Sequence, residues 1–444
     1  MLSWIWRQTL GHVEWGCVVS SHREGVCIKG DVIFAASPSA FDVHENSWLV
    51  THEGGVVGIY ENLPDAYSVS GYEQIDRSGR LIIPGFVDLH MHAPQLMQVG
   101  MGMDEQLLDW LEGYTFDTEA KFADAAYAEP AYGAFVDELA SCGTTRSAVF
   151  GTIHAQSNQI LAEKLRAKGL GAYVGKVNMD SNTSSALTET TERSLAETEE
   201  FIKSFERSDD RLVRPIITPR FALSCSAELM KGLGELAEKY DVPVQSHLSE
   251  NTDEVARAKE LFSEYDYYYQ VYEAFGLFGS TPTAMAHCIH LSDGEIAALA
   301  ESGVVAVHCP LSNLNLASGL MRTRKMMDVG VRIGLGSDVG AGNTLFMPQV
   351  IVSAVQTSKV VSAQNEGERQ LALSEAFWLA TKGGGSFFGQ VGSFEEGYEA
   401  DVLVVSTPER IDDKSAKQRL EWFLYNGGAN NIEDVFVAGT RVDN

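Results

Sequence analysis

The chain is 444 residues long, and its 33 Lys and Arg against 61 Asp and Glu leave a net charge of −28. That excess repels nucleic acid and anionic membranes, and no apolar run is long enough to offer a membrane span. The six cysteines form no Cys-x-x-Cys pair; they read as reduced, buried thiols of a cytoplasmic protein rather than as disulfides or metal ligands.

Residues 1–7 lack a basic segment followed by a long apolar one, so no secretory signal is expected there. Residues 1–80 read as short strands separated by turn clusters such as 53–55 and 77–80. From residue 81 onward, short apolar and β-branched runs recur at 81–89, 146–152, 171–179, 213–218, 242–247, 284–287, 304–307 and 332–336. Helical periodicity fills the intervals at 131–142, 160–168, 226–240, 253–262, 292–302 and 320–329, and the Glu-rich segment 188–206 reads as a solvated helix. Strands alternating with helices predict parallel βαβ units, and eight of them predict an α/β fold with a closed (β/α)8 TIM-like barrel over 81–385. The long intervals after the first and fifth strands predict lids over the site. A helix with a Gly-rich end follows at 371–384, and strands at 397–405 and 435–442 return to the pattern of the N-terminus. Segments 1–80 and 386–444 are therefore expected to meet as one small β-sandwich.

The ends of the barrel runs carry the chemistry. His90 and His92 close the first, one residue apart and so on one face of a strand. His247 closes the fifth, His287 closes the sixth, and Asp338 follows the eighth. Active sites of such barrels lie at the C-terminal rim. Four histidines and an aspartate on that rim point to a bound metal ion, which brings the pKa of a water from 15.7 to roughly 7. Glu250, three residues after His247, suits a general acid/base; its other reading is a carboxylate at the start of the following helix. Asp338 would ligate the metal and take the proton of the water, with His287 hydrogen-bonding that water. Lys176, inside the third strand, reads as a structural or pocket lysine, the other possibility being a carboxylated bridge between two metals. Gln95, Arg220 and Phe221 are the candidate substrate readers: an amide with donor and acceptor, a planar fork and a flat ring.

Residues 84–92, His247, His287, Asp338 and the segment 397–405 together resemble the amidohydrolase superfamily. The segments 92–95, 108–116, 175–180, 218–226, 245–251, 308–313 and 334–338 are similar to its guanine-deaminating branch. The resemblance implies zinc-dependent hydrolysis of guanine to xanthine and ammonia, with one Zn2+ per chain, or Fe2+ in its place. It carries metal ligation onto His90, His92, His247 and Asp338, catalysis onto Glu250, His287 and Asp338, and substrate contact onto His92, Gln95, Arg220, Phe221 and His247. It also implies a homodimer. Asp117 stands where this branch usually has proline, Ser337 where it has threonine, and residues 340–342 vary a glycine-rich turn. Deamination of another heterocycle (cytosine, an adenine nucleoside or a triazine) and a non-catalytic scaffold on this fold are the rival readings. The scaffold predicts lost ligands, and none is lost.

Overall fold

The structure, a computed structural model, describes residues 24–443 except 70 and 207–209. Cys17 and the reading of residues 1–7 lie outside the described residues. Strands β1 (Gly25–Ser37), β2 (Ala40–His52) and β3 (Gly55–Tyr60) form antiparallel hairpins, and β4 (Tyr72–Pro84) runs parallel to β1. Between β2 and β3, Glu53 and Gly54 both take positive φ, 46° and 85°, the left-handed pair that a tight hairpin needs.

The expected first barrel strand at 81–89 is divided. Its first half, through Pro84, ends β4; its second half is β5 (Phe86–His92). The break falls at Gly85, where a Cβ would lie 2.2 Å from Thr145 Oγ1. There follow β6 (Thr144–Phe150), β7 (Gly171–Gly175), β8 (Val177–Asn178), β9 (Val213–Pro215), β10 (Thr218–Pro219), β11 (Val244–Leu248), β12 (Thr283–His287), β13 (Val305–His308) and β14 (Arg332–Leu335). The expected third and fourth strands are thus each split in two. All these pairings are parallel, in sheets ordered β5-β6-β7-β9, β10-β8 and β11-β12-β13-β14. A parallel bridge from Ile217 to Val244 links the fourth run to β11. At the other end, Asp338 N donates to His90 O at 2.8 Å and His92 N donates to Val339 O at 2.7 Å.

Helices alternate with these strands and begin where caps allow. Asp124 caps Ala125–Ser141, which therefore starts earlier than its apolar periodicity alone predicts. Ser226 caps Ala227–Tyr240, and capping boxes start Thr252–Leu261 and Asp293–Ser302. The helix expected to be solvated over 188–206 spans Thr191–Glu206 and buries Phe201, Ile202 and Phe205 along one face.

Strands β15 (Val402–Val405), β16 (Ile432–Val437) and β17 (Thr440–Arg441) join the N-terminal strands in a seven-stranded sheet ordered β17-β16-β15-β4-β1-β2-β3. The two ends of the chain meet and are hydrogen-bonded as one continuous sheet, within which the two layers of the expected sandwich are not shown as separate sheets. Alternate residues explain its burial on both faces. Val32, Phe34, Ile82, Val402 and Val404 build one apolar cluster, while Ile33, Ala35, Leu81, Ile83, Leu403 and Val405 pack into the main core. Among the described residues no helix is long and apolar enough to cross a membrane.

Candidate active site

The side chains singled out at the strand ends converge. His90 and His92 point from β5, and the Phe150 ring at the end of β6 lies 4.9 and 4.7 Å from their rings. His247 comes from β11, His287 ends β12, and Asp338 follows β14. His287 and Asp338 hold φ at 72° and 50°, and Ser249 just past β11 holds 53°. Such conformations cost roughly 1–3 kcal/mol each for side-chain-bearing residues and persist where surrounding structure imposes them. Here they turn the chain sharply at the strand ends. Asp88 ties the first and last strands together, its Oδ1 accepting from His90 N and Ser337 N at 3.2 and 2.9 Å. Gly336 permits this approach, since a Cβ there would lie 2.8 Å from His90 Cβ.

The donor atoms of His90, His92 and Asp338 lie within 4.8 Å of one another, as do those of His90, His247 and His287, and all are buried. His90 Nε2 is 3.2 Å and His92 Nε2 3.6 Å from Asp338 Oδ1, and the Nε2 atoms of His92 and His247 are 3.2 Å apart. Tetrahedral ligands at ~2.0–2.1 Å from an ion are separated by roughly 3.3 Å, so these spacings fit the edges of a metal polyhedron. The Nε2 atoms of His90 and His287 are buried with no hydrogen-bond partner, which is costly unless something else occupies them. Outer hydrogen bonds set the rings. His247 Nδ1 faces Arg220 O at 2.6 Å and His287 Nδ1 faces Asn313 Oδ1 at 2.9 Å, leaving each Nε2 turned inward. Burial lowers the pKa of His90, His92 and His247, keeping these imidazoles neutral and able to donate a lone pair. Burial would raise Asp338, but the neighbouring His90 and His287 hold it below the usual range. The residues present therefore suit a divalent ion.

Glu250 lies beside His287 in the same cavity, with Oε2 3.3 Å from its inward Nε2. Its Oε1 accepts from Ser318 Oγ at 3.2 Å, and its backbone N–H donates to Glu254 Oε2 at 2.7 Å. Burial pushes the Glu250 carboxyl up to about 7, with Asp338 and Glu254 adding to the rise against the opposing pull of His287. Burial opposes the charge on His287, yet Glu250 and Asp338 raise its pKa. A carboxyl that changes charge near neutrality is equipped to pass protons.

Gln95, Arg220 and Phe221 line the same cavity as His92, His247, Glu250, His287 and Asp338, with Leu107, Trp110 and Leu111 from the insertion after β5 forming apolar walls. The sequence did not single out Glu119, Ser318 or Asn313. Glu119 bridges the readers: Oε1 accepts from Gln95 Nε2 at 2.8 Å and Oε2 from Arg220 Nη1 at 2.5 Å. Glu119 lies just beyond the segment 108–116, whose last residue, Phe116, sets its ring 5.6 Å from the Arg220 guanidinium. Asn313 stood inside a recognised segment without an assigned role, and Ser318 carried no local signal.

Lys176 is outside this cavity lining. Its Nζ donates to both oxygens of Glu189 at 2.8 and 2.9 Å and to Val177 O at 3.2 Å, which uses all three of its donors. Glu189, expected on a solvated face, is buried by this pair. Lys176→Met should destabilise the protein by ~3–5 kcal/mol, because it strands a buried carboxylate. Denaturant unfolding of the metal-loaded variant checks this, and an unchanged midpoint would contradict it.

Residues 81–442 match the Amidohydrolase family. The chain is 36% identical to the guanine deaminase of Dictyostelium discoideum, over 93% of this chain and 97% of that protein. It is 37% identical to the guanine deaminase of Escherichia coli, over 91% and 89%. Among solved structures, the guanine deaminase from C. acetobutylicum with guanine bound in its active site superposes with a TM-score of 0.92 at 46% identity, covering 94% of this chain and 99% of that one.

Proposed function

The chain belongs to the amidohydrolase family, and on that premise we propose that it hydrolyses guanine to xanthine and ammonia, with the roles set out below. The observation that carries this is one cavity lined together by His92, His247 and Asp338 of the convergent donor set, by Gln95 and Arg220, and by Glu250. The relative of 46% identity that holds guanine in its own active site supports the substrate.

The three imidazoles and one carboxylate of His90, His92, His247 and Asp338 would hold one ion, and a thiolate-free set of this kind suits Zn2+, with Fe2+ as the other fit. When bound, the ion acidifies a water at neutral pH. The chain's own groups do the rest. Arg220 donates to the purine carbonyl oxygen, Gln95 reads the adjoining ring edge, and Phe221 packs on the ring. His287, on the Oδ2 side of Asp338 at 3.8 Å, hydrogen-bonds the water and the oxygen added to C2. One proton of the water goes through Glu250 to the ring nitrogen beside C2. The other goes through Asp338 to the exocyclic amine, which leaves as ammonia when the C2–N bond breaks.

The strands β5 to β14 are read as one closed (β/α)8 barrel over 81–385, a closure supported by the Ile217–Val244 bridge and the backbone bonds from His90 and His92 to residues 338 and 339. Among the described residues of the segments 1–80 and 386–444, strands β1 to β4 and β15 to β17 build the smaller β unit. Free, buried Cys27, Cys142, Cys225, Cys288 and Cys309 suit a reducing, cytoplasmic setting.

Arg220→Ala tests the reading. Losing a charged donor to the substrate carbonyl should lower kcat/KM for guanine by at least ~10²-fold with bound metal unchanged. Undiminished guanine turnover by the metal-replete variant would contradict it.

A further inference from the structure

Glu119 has no part in the proton movements above, yet it is 1% exposed and holds both ring readers from behind, outside the cavity lining itself. It lies in the helix Phe116–Ala120 of the insertion after β5. Its two oxygens are divided between Gln95 Nε2 and Arg220 Nη1. The opposite end of the Gln95 amide is fixed as well, since Oε1 accepts from the Gly340 N–H at 3.2 Å. A flipped amide would set two acceptors together at Glu119 and two donors together at Gly340, so the two contacts jointly impose one orientation. Gln95 is left with an N–H, and Arg220 with the rest of its fork, for the cavity they line.

We propose that Glu119 is a positioning residue that fixes the hydrogen-bond polarity of the ring-reading face, so that Gln95 and Arg220 both present N–H donors. The site then selects a purine carrying a carbonyl oxygen over the same purine carrying an amine at that carbon. This rests on the guanine reading given above. Without an acceptor at 119, the Gln95 amide can turn over and offer its carbonyl to an amine, and Arg220 loses the anchor that aims its fork.

Glu119→Gln keeps the shape but sets an NH2 against either Gln95 Nε2 or Arg220 Nη1, and so releases one reader. The experiment measures kcat and KM of metal-loaded wild-type and variant protein on guanine and on 2,6-diaminopurine, which keeps the C2 amine but bears an amine for the carbonyl at C6 and so lacks the proton on N1. Metal content and melting midpoint are recorded in parallel. The ratio of kcat/KM for guanine over 2,6-diaminopurine should fall at least ~10-fold in Glu119→Gln, through KM for guanine more than kcat, with metal retained. Glu119→Asp keeps the buried charge and secures the fold, but is one methylene too short to span both partners; its ratio should fall ~3-fold or more. An equal loss on both substrates, leaving the ratio at its wild-type value in either folded variant, would overturn the inference. If the wild type releases no ammonia from guanine, the functional reading fails instead; if it does and the ratio is unmoved, only the role of Glu119 fails.

Discussion

Stripping the metal with a chelator should lower guanine turnover by ~10⁴-fold or more, because a water with a pKa near 15.7 replaces one near 7 as the source of the nucleophile. Activity should return on titration with Zn2+ and saturate at about one equivalent per chain, as expected for a mononuclear catalytic site. His90→Ala should bind metal weakly and stay inactive at stoichiometric zinc, since His90 belongs to both buried donor groups. Elemental analysis alongside the activity titration checks this. Undiminished turnover by fully demetallated protein would contradict the site, and saturation at two equivalents would contradict a single ion.

Glu250→Gln should separate proton transfer from metal binding. The amide keeps the size of the carboxyl and leaves untouched the backbone bond to Glu254 that positions residue 250. Metal content should therefore stay at the wild-type level, while kcat falls by ~10²–10⁴-fold, the usual cost of losing a general acid/base. Full activity in the metal-replete variant would remove Glu250 from the mechanism. Loss of metal would make it a ligand, against the 3.3 Å contact that sets it beside His287.

The two rules that made this site legible in the sequence are both local. A buried parallel strand reads as an apolar run, and barrel chemistry gathers where such runs end, so His90, His92, His247, His287 and Asp338 stood out by position alone. Glu250 followed from its distance to His247. Glu119 did not, because its partners lie 24 and 101 residues away, and no local spacing signals a buried carboxylate shared by two readers. Ser318 reaches Glu250 across 68 residues for the same reason. Composition also hid the division at Gly85: residues 81–89 are continuously apolar or nearly so, and the break is imposed by the close approach of Thr145. The helix Met347–Gln364 was missed because so many of its residues are buried that its periodicity is blurred. At the chain ends, turn chemistry and alternation announced strands but carried no information on partners. That is why the strand order of the seven-stranded sheet that joins the two ends was not legible in the sequence.

The central claim is the reaction, and the most direct measurement is ammonia release by metal-loaded protein given equal concentrations of guanine, adenine, adenosine, cytosine and a triazine. Guanine should be turned over fastest with one xanthine formed per ammonia. Adenine should lag in kcat/KM by ~10⁴-fold or more, since it carries no amine at C2 to release and sets its C6 amine against the Arg220 donor. Faster release from cytosine, adenosine or the triazine would contradict the substrate assignment, and release from none of them would contradict the enzyme.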